Sequence, residues 1–427
     1  MLDIQILRDD PRGVEAALAK RNVNVDLEPF LELDRRRRQL IAETERLRAE
    51  RNRVSGEIPR LKRKGEPVED LLAEMREVSE QIKTYEADLS AITVDWQRFQ
   101  DELPNIPADD VPAGGKENNE PLRYYGTMPE FDFTPANHVD LAVNLNLIDY
   151  VRGVKLGGNG YWLYRGQGAR LEWAMLNYFI DAHIADGYEL MLIPHLLTER
   201  CGYAAGQFPK FREDVFWLEG DESRNFLLPT SETALASLYS DEILAEADLP
   251  HKIAAFTPCY RREAGSYRAE ERGMIRGHQF NKVEMFQFTR PADGDAAFQE
   301  LVDKACALVD GLGLHFRLTK LAAADCSASM ARTYDIEIWI PSMNTYKEVS
   351  SVSLAGDYQA RRGNTRFRNA STGKLEFVYM LNGSGLATSR VFPAILEQMQ
   401  QADGTVLIPE VLRPYMDGLE RLTPPEV

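Results

Sequence analysis

The sequence predicts an α+β protein: a mainly antiparallel β-sheet flanked by helices, preceded by an antiparallel two-helix coiled coil. Two observations carry the coiled coil. Leu33, Leu40, Leu47, Val54 and Leu61 recur every seventh residue. After Lys64-Gly65-Glu66-Pro67, a sequence hard to read as helix, Leu71, Met75, Val78, Ile82, Tyr85, Leu89, Ile92, Trp96, Phe99 and Leu103 alternate steps of four and three. Sustained a/d spacing on two limbs around a tight turn means two helices running antiparallel. A third observation carries the sheet. Strand-like runs at 280–288, 334–340, 344–351 and 375–381 follow one another without regularly alternating crossover helices.

Taken in order, residues 1–26 predict a short helix opened by Asp10-Pro11, with Val14, Ala17 and Leu18 on one face. Pro59 interrupts the first limb of the hairpin and is expected to kink it or end it early. Pro104, Pro107 and Pro112 stop the second limb, and 104–135 reads as a linker rich in Pro, Gly, Asp and Asn. Helical periodicity runs from Gln167 to Ala185, then a strand from Tyr188 to Pro194. An amphipathic helix is expected over 294–313, and another from about Pro393 to Gln401. The division is thus 1–103, a linker at 104–135, and 136–427.

Length and composition bound the function. The 427 residues, 44% hydrophobic, allow a large core and two or three domains. The N-terminus lacks the basic start and apolar run of a signal peptide, and no apolar stretch approaches the roughly 18 residues that span a bilayer. The four cysteines are scattered without C-x-x-C spacing, which favours neither a disulfide framework nor a zinc site. A cytoplasmic protein with no membrane partner is expected. A net charge of −17 opposes nucleic-acid binding by the chain as a whole, and no DNA partner is expected. The limb from Arg35 to Lys64 is nevertheless strongly basic. It suits RNA binding confined to that limb, and equally a solvated helix face.

The chemistry concentrates between Phe256 and Phe288, where two strand-like runs flank a long polar loop. Loops of that length in compact domains are usually functional or disordered. Arg261 and Glu263 stand on the way in, and Arg276, His278 and Glu284 on the way out. An arginine fork suits a phosphate or a carboxylate, and a nearby carboxylate suits an amine or a metal. A solvated hairpin with surface ion pairs is the plainer alternative. Further on, Gly383-Ser-Gly385-Leu-Ala-Thr388 reads as a glycine loop between a strand and a helix. A dinucleotide-binding reading fails there, because Thr388 takes the third glycine's place and the proline-rich remainder leaves no room for a βαβ unit.

The letters decide between these alternatives. TPCYRREAGSY, RGMIRGHQFNKVE, the Gly206-Gln-Phe-Pro-Lys-Phe211 run, Thr230-Ser-Glu232 and the segment around Arg390 resemble the seryl-tRNA synthetases, a family of class II aminoacyl-tRNA synthetases, over nearly the whole chain. The resemblance implies a class II antiparallel catalytic domain, a homodimer built through the 167–194 region, and an N-terminal arm that grips the long variable arm of a serine tRNA. It implies activation of L-serine with ATP and Mg²⁺, then transfer to tRNA(Ser), and leaves tRNA(Sec) open as a second acceptor.

By that match Arg261 bridges the serine carboxylate and the α-phosphate, Glu263 holds the adenine end, Phe280 stacks on adenine and Arg390 clamps the γ-phosphate. Arg262, Gly277, Val349 and Ser350 complete the ATP set, and Glu348 and Ser351 carry Mg²⁺. Thr230, Ser231, Glu232 and Glu284 receive serine together with Arg261, and Ser384 closes the pocket around small residues that let the backbone approach the ligand. Arg35, Arg38, Arg46 and Arg53 on the arm, with Arg268 and Arg272 in the hairpin loop, meet tRNA. Arg390, Arg261 and Glu348 are the catalytic set.

Departures from the family pattern occur at Leu354, where asparagine is usual, at Ala324 and Ser327, where glycines are usual, and at Pro59 in the arm. They raise a second reading: a specialised duplicate that resists a seryl-adenylate-mimicking antibiotic or supplies seryl-tRNA to biosynthesis. A serine-activating carrier-protein ligase is a third reading, and it leaves the arm unexplained.

Overall fold

The computed structural model describes residues 1–220, 224–263 and 273–425. Two units are distinguished within it: residues 2–16 with 24–104, and residues 1, 17–23 and those from 105 onward.

In the first unit two short helices, α1 (Ile4–Asp9) and α2 (Pro11–Ala19, whose last turn belongs to the other unit), precede α3 (Glu28–Lys64) and α4 (Glu69–Glu102). Leu40, Leu47, Val54, Met75 and Ile82 from the two predicted ladders are buried along the α3–α4 seam. Near its base Phe30 stacks on Phe99 and Trp96 at centroid distances of 5.0 and 5.9 Å. Asp34 is buried in the same seam, bonded by Arg8 at 2.8 and 2.9 Å and by Arg38 at 3.0 Å. Burial alone would raise its carboxyl, but the two guanidiniums outweigh that and hold it below the usual range. A buried charge that must meet its partners penalises other registers of the apolar ladder. Gly65, at φ 74°, turns the chain at the tip.

Pro59 does not end α3, which continues to Lys64. Its ring and Ser55, four residues back, are both exposed, so water can take the carbonyl that proline leaves unpaired.

The second unit is built on an eight-stranded sheet. Its strands are β1 (Glu120–Tyr125), β2 (Glu189–Met191), β3 (His251–Tyr260), β4 (Gln279–Thr289), β5 (Phe316–Lys320), β6 (Arg332–Ile340), β7 (Thr345–Gly356) and β8 (Tyr379–Ala387), in the order β1-β5-β6-β7-β8-β4-β3-β2. The pairs are antiparallel except β2 with β3. β1 falls inside the segment read as a linker and pairs with β5 at the sheet edge. Three helices, α5 (Gln167–Ala185), α6 (Gly294–Gly311) and α7 (Thr388–Gln398), bury their apolar faces against Val283, Met285, Ile336, Ile338, Val352, Leu381 and Leu386. The glycine segment is strand rather than loop, since β8 runs through Gly383 and Gly385 to Ala387, and α7 opens at Thr388 with Pro393 inside it.

Arg21, 6% exposed, ties the chain to this unit. Its guanidinium donates to the carbonyls of Asn105 (2.7 Å), Ala323 (2.9 Å), Ser327 (3.3 Å) and Cys326 (3.4 Å), and also to that of Met330. The Asn105 amide adds Ser329 and Ala355 at 2.9 and 2.8 Å. Buried carbonyls without donors are expensive, and bonds from a charged donor are worth more than neutral ones. Replacing Arg21 with methionine is therefore expected to cost about 3 kcal/mol or more, read as an earlier thermal unfolding transition. An unchanged transition would show that the carbonyl cluster does not depend on the guanidinium.

Candidate active site

Alternation along β4 sends Val283 and Met285 into the helix-covered core and Phe280, Lys282 and Glu284 to the opposite face. β3 pairs with β4 as predicted, Cys259 opposite Phe280 and Thr257 opposite Lys282. Arg261 leaves the end of β3. Its Nε donates to the Pro229 carbonyl at 3.2 Å, and its guanidinium lies 5.1 Å over the Phe280 ring. Glu263, at φ 51°, pairs with Arg276 at 2.6 Å across the hairpin mouth. Arg262 instead points to the Glu213 carbonyl at 3.4 Å and is exposed. Arg268 and Arg272 lie outside the described residues.

Glu348 and Ser351 are three apart on β7, a spacing that strict alternation would put on opposite faces. A register shift between Ile336 and Glu337 leaves Val349 as the extra residue of a bulge, so both polar side chains line the same cavity. Val349 lines the recess beside Phe280 while its side chain joins the core. Ser351 donates to Asp335 at 2.6 Å, and Arg390 in the first turn of α7 reaches the Glu348 carboxylate at 3.3 Å and its carbonyl at 2.6 Å. Burial would raise Glu348, but Arg390 and Arg261 outweigh it and bring the carboxyl below its usual range. Burial and the neighbouring Glu348 push Asp335 well up.

At the other end lie Thr230, Glu232 and Glu284. Lys282 was not anticipated there. Its ammonium donates to Thr230 Oγ1 at 2.7 Å and pairs with Glu284, so two of the groups assigned to serine already hold a cation. Glu284 is 2% exposed and lies beneath the cavity wall. Lysine and glutamate two apart on a strand share a face, and that was the available signal. Among the described residues the Glu232 carboxylate accepts a side-chain hydrogen bond from the Gln359 amide alone, at 2.9 Å, and pairs with no cation. Burial, then Glu284, pushes its carboxyl to about 7. Ser231 is buried and bonded to Thr257 at 2.7 Å, and Ser350 donates to the Ser384 carbonyl at 2.6 Å. Neither hydroxyl faces the cavity.

A cavity of about 560 Å³ brings together Thr230, Glu232, Arg261, Glu263, Glu348, Ser351, Ser384 and Arg390. A narrower recess carries Gly277 and Phe280 alongside Arg261, Glu263 and Arg390. Among the three core departures Ser327 lines the cavity, whereas Leu354 is buried in the core and Ala324 bonds the Gly114 carbonyl. Gly383 and Gly385 face away from the cavity. A Cβ at Gly385 would meet the His183 ring at 2.1 Å, and one at Gly383 the Val352 methyl at 3.1 Å. These glycines serve packing, which corrects the expectation that they admit a ligand.

On the arm, Arg35 pairs with Glu28 (2.6 Å), Arg38 with Asp34 (3.0 Å), Arg46 with Glu43 (3.0 Å) and Arg53 with Glu50 (2.5 Å). The Arg35, Arg46 and Arg53 pairs are surface pairs, worth about 0–1 kcal/mol, so a phosphate can displace them at small cost, whereas the partner of Arg38 is the buried Asp34.

Comparison with known proteins fixes the class and then the family. Residues 216–399 match the model of the tRNA synthetase class II core domain for G, H, P, S and T. Residues 1–107 match the seryl-tRNA synthetase N-terminal domain. The chain is 57% identical to "Serine--tRNA ligase 2" of Clostridium acetobutylicum and 46% to "Serine--tRNA ligase" of Nitratidesulfovibrio vulgaris, in both cases over 99% of this chain and 100% of the relative. Among solved structures, seryl-tRNA synthetase from Pyrococcus horikoshii complexed with ATP superposes with a TM-score of 0.92 at 33% identity, covering 100% of both chains. The chain belongs to the seryl-tRNA synthetase family.

The tight approach at Gly385 is directly testable. Gly385→Ala is expected to destabilise by about 1–3 kcal/mol through overpacking, because the His183 ring is buried and also bonds the Gly385 carbonyl at 3.1 Å. A thermal midpoint equal to wild type would mean that the ring moves aside freely.

Proposed function

We propose that the chain is a serine--tRNA ligase, condensing L-serine with ATP to seryl-adenylate and pyrophosphate and then moving the seryl group to the 3′-terminal adenosine of tRNA(Ser). The observation that carries this reading is one cavity holding two separated arginines, Arg261 and Arg390, with a carboxylate-lined end at Glu232. An amino acid offers an ammonium and a carboxylate, and ATP a chain of phosphates; the carboxylates and arginines of the cavity lining are complementary to them. The serine carboxylate attacks the α-phosphorus already ionised, the bond to the bridging oxygen breaks, and pyrophosphate leaves. No general base is needed, so catalysis is positioning and charge stabilisation.

In this reading Arg261, buttressed by the Pro229 carbonyl, faces the α-phosphate and the serine carboxylate, and the Phe280 ring packs against adenine. Arg390 faces the terminal phosphates. Glu232 takes the serine ammonium, while Lys282 neutralises Glu284 and so leaves Glu232 as the carboxyl of that end without a paired cation. Glu348 and Ser351 fit Mg²⁺: they form an all-oxygen set too small for a protein-only site, as suits a hard cation completed by phosphate oxygens and water. When bound, that ion neutralises phosphate charge.

The exposed apolar residues Trp173, Ile184, Leu190, Leu192 and Leu196 on α5 and around β2 support a homodimer through this region. Among the described residues no helix is long and apolar enough to cross a membrane, and a tRNA and ATP as substrates support a cytoplasmic site of action. The basic limb of α3 supports the arm as the tRNA contact.

The first test is serine-dependent exchange of pyrophosphate into ATP, followed by charging of a serine tRNA. Arg261→Ala is expected to lower exchange by about 100-fold or more without changing the thermal midpoint. Exchange that survives this substitution, or is absent in wild type, overturns the assignment. The Ser327 hydroxyl in the cavity wall favours the specialised-duplicate reading enough to repeat the assay with a non-hydrolysable seryl-adenylate mimic. Persistent activity would support that reading.

Glu232 gives an independent readout. Its carboxyl near 7 is part-protonated at neutral pH, and an ammonium requires the ionised form. Serine binding should therefore release protons near pH 6.5, less so above pH 8, and serine affinity should rise with pH through this window. Calorimetry in buffers of different ionisation enthalpy measures the release. Glu232→Gln should abolish it, and undiminished release in that variant would remove Glu232 from the serine site.

A further inference from the structure

Glu172, on the buried side of α5, is not used by the mechanism above. It is 3% exposed and no cation faces it among the described residues. Its Oε1 lies 2.5 Å from Thr388 Oγ1 and 2.8 Å from Asn281 Nδ2, while its Oε2 is buried with no hydrogen-bond partner. Thr388 Oγ1 is also 3.2 Å from the Asn281 carbonyl. One hydroxyl proton cannot serve two acceptors. A proton on Oε1 resolves the conflict: the acid donates to Thr388 Oγ1, the threonine donates to the Asn281 carbonyl, and the Asn281 amide donates to Oε1. Oε2 is then a neutral carbonyl oxygen, far cheaper to leave unpaired than half of a buried charge.

The two partners sit beside the site. Asn281 separates Phe280 from Lys282 on β4, with its side chain on the helix-covered face. Thr388 is the first residue of α7, two before Arg390. We propose that Glu172 is a positioning residue held as a neutral carboxylic acid, whose proton locks β4 to the start of α7 and so sets Arg390 against Phe280 and Lys282. The groups acting on it from the packed elements are Thr388 of α7, Asn281 of β4 and the Tyr164 phenol of the short strand Leu163–Tyr164. Burial pushes its carboxyl to about 7 against the pull of the Thr388, Asn281 and Tyr164 hydrogen-bonding groups, which act downward. Ionisation above that pH puts charge on a buried oxygen that has only the Tyr164 phenol near it, with no cation among the described residues, and loosens the lock.

This inference rests on the serine-activation reading, and its test separates the two. With serine and ATP saturating, so that Glu232 no longer limits, wild-type kcat for pyrophosphate exchange should fall on the order of tenfold between about pH 7 and pH 9, part of the ~100-fold that a small misplacement can cost. Glu172→Gln, neutral at every pH, should be nearly flat over the same range. Infrared difference spectra between wild type and this variant should show a protonated carboxylic-acid carbonyl band at pH 6 that disappears by pH 9. Parallel pH profiles, or no such band, overturn the proposal. Should the variant not fold, Thr388→Val serves instead: removing the acceptor should shift the acid band, and an unshifted band overturns it. If wild type shows no exchange at any pH, the activity reading fails and the infrared result decides this inference alone.

Discussion

Alternation along β4 is the constraint on which the rest depends. Val283 and Met285 must enter the core against the helices, and in doing so they hold Phe280, Lys282 and Glu284 on the other face. The hydrophobic burial of these two side chains thus fixes which way the three groups between and beside them point. β3 flanks the strand in unbroken register and carries Arg261 at its end, while on the other side β8 shifts by one residue between Lys282 and Glu284 and sets Ser384 opposite Glu284.

Electrostatics in the cavity divides into two regions. Around Glu348 two guanidiniums draw the carboxyl down. Around Glu232 burial and a second carboxylate push it up, and Lys282 compensates the deeper of the two. The same residue type has opposite tendencies within one cavity because one end is rich in arginine and the other is closed by β4 and the Gln359 amide. Polarity of this kind orients a small zwitterion before any shape selection applies.

Much of this was legible in the letters. The heptad ladders gave both arm helices and their turn, and period-two runs gave the β3–β4 hairpin and the β6–β7 pair. What escaped depends on partners distant in sequence. The bulge at Val349 that turns Glu348 and Ser351 to one side appears only when β6 is laid alongside. The glycines of β8 look like a ligand loop until His183, some two hundred residues earlier, fills the space where a side chain would sit. Ser231 and Ser350 sit next to site residues in the chain, yet their hydroxyls are satisfied internally. Pro59 read as a kink or an early end because proline removes one hydrogen bond of the helix, yet α3 runs on to Lys64, and the exposure of Pro59 and Ser55 leaves water to satisfy the freed carbonyl.

Arg21 changes what a boundary means in this molecule. The segment 17–23 belongs with the sheet although helices of the other unit lie on both sides of it in sequence. The N-terminal region is therefore an excursion from the catalytic fold and not a module joined at its end. A fragment cut at residue 104 would lose the donor that serves the carbonyls of Asn105, Ala323, Cys326, Ser327 and Met330, and with it the wall containing Ser327. Evolutionary exchange of the arm would have to conserve this short inner segment, so modularity here follows the burial of one guanidinium more closely than the order of the chain.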